Sequence, residues 1–158
     1  MLNKPRSAYL HIPFCHRRCF YCDFAVVPLG DKASADNGAG SASIKSYLKL
    51  LHREINLISE GEPLSTIYIG GGTPSLLSPS QISYLLEHLQ RKFGFQYGSE
   101  VTLEVDPASF SKDLLEEFLD IGINRLSLGG QSFDDELLLK IGRRHNRQQL
   151  IQSCDWIN

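Results

Sequence analysis

The chain is predicted to be an α/β protein with parallel strands, and three observations carry that prediction. Short β-favouring runs alternate four times with longer segments whose apolar residues recur every three or four positions. Gly, Pro, Ser or Asp marks nearly every junction. The 158 residues, 42% hydrophobic and 22% charged, suffice for one core of ordinary size. Consecutive strand–helix units imply parallel strands joined by right-handed crossovers.

Ser7 to Ile12 alternates and is β-favouring, so it is the first strand, stopped by Pro13. A loop dense in cysteine follows. Residues 27 to 43 collect Pro28, Gly30, Gly38 and Gly40 among small polar residues, which predicts a flexible surface insertion. From Ile44, the residues Tyr47, Leu48, Leu51, Ile55 and Ile58 share one helical face, closed by Gly61-Glu62-Pro63. Ser65 to Ile69 is the second strand, running into a glycine turn at Gly70-Gly71-Gly72.

Ser78-Pro79 supplies an N-cap and a first-turn proline for Ile82, Leu85, Leu86 and Leu89, ending near Gly94. Glu100 to Val105 is the third strand, broken by Asp106-Pro107, which read as turn chemistry. Ser111 caps a third helix that ends at Gly122. Arg125 to Leu128 is the fourth strand, Asp134 to Ile141 the fourth helix, and the remainder a loop with the start of another helix. Phe93, Phe95 and Tyr97 read as core or helix-end packing, Cys154 as a small apolar helix residue, and His11 and His145 as hydrogen-bonded structural histidines.

Two closures satisfy this order. A doubly wound sheet carries helices on both faces, whereas a barrel-type sheet keeps them all outside. In either, ligands sit beyond the carboxyl ends of the strands, where the cysteines, Gly70 to Thr73, Glu104, Asp106 and Gln131 all fall. Four units do not close an eight-fold barrel, so the sheet is either small and open or part of something larger.

A formal charge of −2 gives no broad electrostatic reason to expect nucleic acid or an anionic membrane. No apolar run approaches the roughly 20 residues of a membrane span, and the first residues lack the apolar core of a secretory signal. The expected setting is a reducing compartment: the cytoplasm, or an organelle such as a plastid or mitochondrion if a longer precursor exists. There, clustered thiols are more often ligands than disulfides.

Three of the four cysteines, Cys15, Cys19 and Cys22, fall within eight residues. Zinc would need a fourth ligand, with only His11 or His16 nearby. An iron–sulfur cluster on three cysteines leaves one iron open to a non-protein ligand. The adjoining His16, Arg17 and Arg18 would stabilise thiolates in either case.

Cys15-x3-Cys19-x2-Cys22, with Tyr21 before the last cysteine, resembles the cluster signature of the radical S-adenosylmethionine (radical SAM) superfamily. Tyr9 to Phe14, Tyr68 to Ser75, Glu104 to Pro107, Asn124 to Gly129, Gln131 to Phe133 and Gly142 to His145 together resemble the coproporphyrinogen III oxidase-like branch, which includes the HemW heme chaperones. The resemblance implies that residues 1–158 are the N-terminal part of a radical SAM core: a partial TIM-type barrel of about four parallel βα units. The rest of the barrel and a C-terminal domain would be absent.

It further implies that Cys15, Cys19 and Cys22 ligate a [4Fe-4S] cluster whose open iron is chelated by SAM. Tyr9 and Tyr21 match positions lining the SAM pocket, and Gly71, Gly72 and Thr73 the turn that meets its methionine end. Glu104, Gln131 and Arg143 match further SAM contacts, the carboxylate suited to ribose hydroxyls and the guanidinium to the SAM carboxylate. Heme or a porphyrinogen, and a heme-acceptor protein, are the implied partners.

Within the branch, oxidases resemble Cys-x3-Cys-x2-Cys-x-Cys and carry a longer segment ahead of the cluster. Here Asp23-Phe24 follows Cys22, and fourteen residues precede Cys15. Both features favour a heme chaperone over an oxidase; a truncated chain with little activity is the third alternative. Gly130 stands where the branch usually has valine, which predicts a looser edge to the SAM pocket.

Overall fold

The computed structural model describes residues 4–30, 41–59, 61–107 and 109–158. Strand β1 (Ser7–Ile12) leads through Pro13 into two short strands, β2 (Phe14–Cys15) and β3 (Val27–Pro28), which pair in parallel. Then come α1 (Ala42–Leu57), β4 (Leu64–Gly71), a single 3₁₀ turn (Pro74–Leu76) and α2 (Pro79–Phe93). The chain continues with β5 (Phe95–Val105), α3 (Lys112–Asp120), β6 (Arg125–Leu128), α4 (Asp135–Lys140) and α5 (Arg147–Ile157).

The sheet order β1-β4-β5-β6 follows the chain, and every pair is parallel. A doubly wound sheet must reverse its direction of growth to place helices on both faces. This one never reverses, so right-handed crossovers stack the helices on one side, as in a barrel wall. The alternation along the strands agrees. Leu10, Ile12, Ile67, Ile69, Val101, Leu103 and Val105 are buried in one core with Leu48, Leu51, Leu85, Leu89 and Phe118 of the helices. The intervening positions form the opposite face, where Tyr9 pairs with Tyr68, Tyr68 with Thr102, and Thr102 with Arg125.

Local chemistry accounts for most boundaries. Ser78 accepts from Gln81 N while the Gln81 side chain accepts from Ser78 N, a capping box that starts α2 at Pro79. Asn146 and Gln149 repeat it at α5, and Ser111 and Asp134 cap α3 and α4. Other boundaries differ from expectation. Gly70 and Gly71 belong to β4 because they pair with His11 and Ile12, so the turn is shorter than three glycines suggest. Ile58 caps α1 in an extended conformation instead of continuing it. β5 begins five residues early, since Phe95 pairs with Leu64 across a register shift. Phe93 and Phe95 do pack on the core, but Tyr97 is fully exposed, contrary to its reading as packing. Of the expected insertion at 27–43, residues 31–40 lie outside those described; its first two residues form β3, and α1 begins at Ala42.

His52 of α1 and His88 of α2 meet with ring planes within 11° and Nδ1 atoms 2.5 Å apart. Their centroids are 4.8 Å apart, the separation of rings meeting nitrogen to nitrogen. His88 Nε2 donates to Asn56 Oδ1 at 2.9 Å, so His88 Nδ1 is the acceptor and His52 Nδ1 the donor. Burial holds both histidines below their ordinary value of 6.5, and the neighbouring Arg91 adds to it in each. A base with a lowered folded pKa contributes stability that is present above the unfolded value. As pH falls below 6.5 the unfolded chain takes protons first and the contribution is lost. Urea midpoints between pH 5 and 8 should therefore be flat above about 7 and fall below 6.5. His52→Gln with His88→Gln should flatten that acid limb; an unchanged limb would rule the pair out as its source.

Candidate functional site

The carboxyl ends of the strands open onto a cavity of about 320 Å³. Its wall includes Cys15, Cys19 and Cys22, all half-buried and free. Parallel pairing puts them there. Beyond β1 and β4 the ladder continues, with Gly72 N donating to Ile12 O at 2.8 Å and Thr73 N to Phe14 O at 2.7 Å. This lays the glycine turn against Cys15. A Cβ on Gly72 would stand 2.6 Å from Phe14 O and 2.8 Å from Cys15 Sγ, so only glycine fits. The loop is closed at its base, where Val27 N donates to Pro13 O and Leu29 N to Cys15 O. Inside it, Cys22 N and the Arg18 side chain donate to Cys19 O and Cys22 O.

One ion pair links the loop to the strand ends. Arg143 Nη2 donates to the Asp106 carboxylate and, at 2.7 Å, to Gly129 O, while Nη1 donates to Cys19 Sγ at 3.6 Å. Both side chains are largely buried, at 10% and 19% exposure, whereas every other ion pair between described residues is at least 44% exposed on each side. An exposed pair contributes roughly 0–1 kcal/mol; removing one partner of a buried pair costs about 3–5 kcal/mol. Burial disfavours the Arg143 charge, yet Asp106 and then Cys19 outweigh it and raise its pKa. Arg143 Nε is buried with no partner among the described residues.

Glu104 is held as firmly. Its oxygens accept from Tyr68 OH at 2.7 Å and Gly71 N at 2.9 Å, which fixes the carboxylate at the cavity edge. Gln131 is the one described non-glycine residue with positive φ, +60°, a conformation that concentrates at ligand sites. It lines the cavity with Gly71, Thr73 and Tyr21. Tyr9 does not: it sits further back on β1, its ring 6.0 Å from Tyr68 and its hydroxyl 3.1 Å from His11 Nδ1. Burial pushes the Cys15 thiol up, opposed by a hydrogen bond with the Thr73 side chain. Burial also raises the Tyr21 phenol, with Arg143 pulling the other way.

The structure thus brings ten of the eleven residues singled out from the sequence to one cavity and leaves Tyr9 behind it. Asp106 does form the expected turn, its carbonyl accepting from Ser109 N, but turn chemistry is not its whole role: its carboxylate also anchors Arg143. The legible signal was its place two residues after Glu104, on the same side of an ending strand. Tyr68 was missed as a site residue because its role, orienting Glu104, depends on pairing between strands. Gly130 has a physical reason. A Cβ there would lie 3.0 Å from Leu150 Cδ1 and 3.1 Å from Cδ2, so the buried Leu150 side chain of α5 would have to yield by a few tenths of an ångström. His145 and His11 are structural, their Nε2–H groups donating to Gly130 O at 3.0 Å and Ala25 O at 3.2 Å.

A family profile described as the radical SAM superfamily matches residues 9–158. The heme chaperone HemW of Lactococcus lactis is 41% identical over 155 residues, covering 98% of this chain and 38% of that protein. HemW of Synechocystis is 39% identical over 150 residues, covering 94% and 35%. Among solved structures, coproporphyrinogen III oxidase (HemN) from Escherichia coli, described as a radical SAM enzyme, superposes with a TM-score of 0.82 at 31% identity, covering 98% of this chain and 34% of that one. The chain therefore spans little more than a third of the length of these relatives.

Gly72→Ala should destabilise the fold by about 1–3 kcal/mol through overpacking against Phe14 and Cys15. Gly61→Ala, where the nearest atoms stand at 3.4 Å, is the control and should be near neutral. Chemical denaturation of both checks this, and equal midpoints would refute the tight fit at Gly72.

Proposed function

Because this chain belongs to the radical SAM superfamily, whose members carry a [4Fe-4S] cluster and SAM, we propose that it is a heme-handling protein whose Cys15, Cys19 and Cys22 hold the cluster. The observation that carries the reading is the convergence of three free thiols and the glycine turn on one cavity. The residues present fit such a group. The three thiols are free and line a common wall, where Gly72 lies so close to Cys15 Sγ that no side chain fits between them. A polynuclear cluster takes each thiol on a different iron, whereas zinc needs its ligands gathered about one centre. The buried Arg143 cation beside Cys19 suits an anionic group.

When bound and reduced, the cluster supplies the electron that cleaves a carbon–sulfur bond of SAM. The protein's own contribution is positional. Gly71, Gly72 and Thr73 let backbone approach the methionine end, and the Glu104 carboxylate faces ribose hydroxyls. Tyr21, Gln131 and Arg143 complete the wall. In this arrangement the protein binds heme and passes it to an acceptor protein in the cytoplasm. No helix among the described residues is long and apolar enough to cross a membrane.

The second reading is a coproporphyrinogen III oxidase, supported by the superposition on HemN. Position 24 separates the two. Phe24, largely exposed at the cavity mouth, stands where the oxidases resemble a fourth cysteine. Anaerobic iron–sulfur reconstitution should give one cluster per chain, with an absorbance and EPR signal that changes on adding SAM. Cys19→Ala should abolish it. Heme titration should then saturate, and incubation with coproporphyrinogen III should yield no protoporphyrinogen. Zinc in place of iron would overturn the cluster, and porphyrinogen turnover would overturn the chaperone reading.

A further inference from the structure

We propose that Asp106 is a positioning residue for the cysteine site, acting through Arg143 to hold Cys19 and its loop against the strand edge; this rests on the cluster reading above. Besides the Phe20 ring lying against Gly142 and the Tyr21 side chain meeting Arg143, three hydrogen bonds tie the loop to the α4–α5 connection. Phe20 N donates to Ile141 O at 3.1 Å, Arg17 Nη2 to Arg143 O at 2.7 Å, and Arg143 Nη1 to Cys19 Sγ at 3.6 Å. Only the last reaches a sulfur, and Asp106 sets where that guanidinium lies.

Asp106 is itself tightly fixed. Its amide donates to Ser75 Oγ at 3.4 Å, and its carbonyl accepts from Ser109 N and Oγ, each at 2.8 Å. The Arg143 guanidinium then has one orientation that serves Asp106, Gly129 O and Cys19 together, and it leaves Nε buried without a partner among the described residues. Its Nη nitrogens are thus committed within the protein, and Nε is the donor left over. Among the ion pairs between described residues, Asp106 is the carboxylate that Arg143 meets, while Glu104 is oriented instead by Tyr68 OH and Gly71 N. Lysine cannot replace Arg143, because a single ammonium does not span a carboxylate and a sulfur as the planar fork does.

The test uses the whole chain in two states. In the metal-free protein, Asp106→Asn should speed hydrogen–deuterium exchange of the peptide holding the Phe20 and Cys22 amides about tenfold, leaving β1 and β4 unchanged. In the reconstituted protein, the same variant should lose iron to a chelator about tenfold faster and show a weaker SAM-induced EPR change. Arg143→Gln should do the same, Arg143→Lys should not rescue, and adding Asp106→Asn to Arg143→Gln should change nothing further. If the single Asp106 variant does not fold, the neutral double variant carries the test: loop exchange matching that of Arg143→Gln supports the proposal, and wild-type exchange overturns it. Wild-type behaviour of a folded Asp106→Asn, or losses that multiply in the double variant, would also overturn it. A wild-type chain that takes up no iron would instead overturn the cluster reading, with the exchange result still deciding the role of Asp106.

Discussion

Strands that run one way and are laid down in chain order leave all their carboxyl ends on one edge, and most of this molecule follows from that constraint. Helices are confined to one face, where Leu10, Ile12, Ile67, Ile69, Leu103 and Phe118 supply the core. The edge is where chain leaves the sheet, so it collects the backbone donors and side chains that regular pairing does not use. The cysteine loop, the glycine turn, Glu104, Asp106 and Gln131 come from four different crossings of that edge. None is near the others in sequence, except Glu104 and Asp106.

The two faces of the sheet separate stability from chemistry. Apolar residues point toward the helices, while Tyr9, Tyr68, Thr102, Glu104, Arg125 and Ser127 occupy the alternate positions. At the edge, the two carboxylates differ in what satisfies them. Glu104 is met by neutral donors, a phenol and an amide. Asp106 is met by a guanidinium that also reaches a thiol. The first is poised to face a ligand, and the second to organise the wall.

Much of this was legible in the residues. Capping serines at positions 78 and 111 marked helix starts to the residue, β1 and β6 fell at their expected bounds, and the helix expected over 134–141 is one residue shorter at each end, with Asp134 as its cap. Three crowded thiols announced the site. What was not legible depends on contacts between distant segments. The strand character of Gly70 and Gly71 arises from pairing with β1, and glycine's own preference points the other way. The length of β5 arises from Phe95 meeting Leu64. The turn at Asp106 was legible, whereas the partner of its carboxylate lies 37 positions away. The resemblance carried Arg143 into the site, and only its burial beside Asp106 explains how it is held there.

The short pairing of β2 with β3 closes the cysteine loop at a neck. Cys15 stands on one side of that neck and Pro28 on the other, with all three thiols on the loop side or at its rim. The ladder continues beyond it, with Leu29 N donating to Cys15 O and Gly30 N to His16 O, each at 2.8 Å. The first residues to leave the loop are therefore laid along the first residues to enter it, as a rope is held where it crosses itself. A change of backbone at Leu29 or Gly30 is thus felt directly at Cys15 and His16, so the exit of the cysteine loop helps to set its entrance.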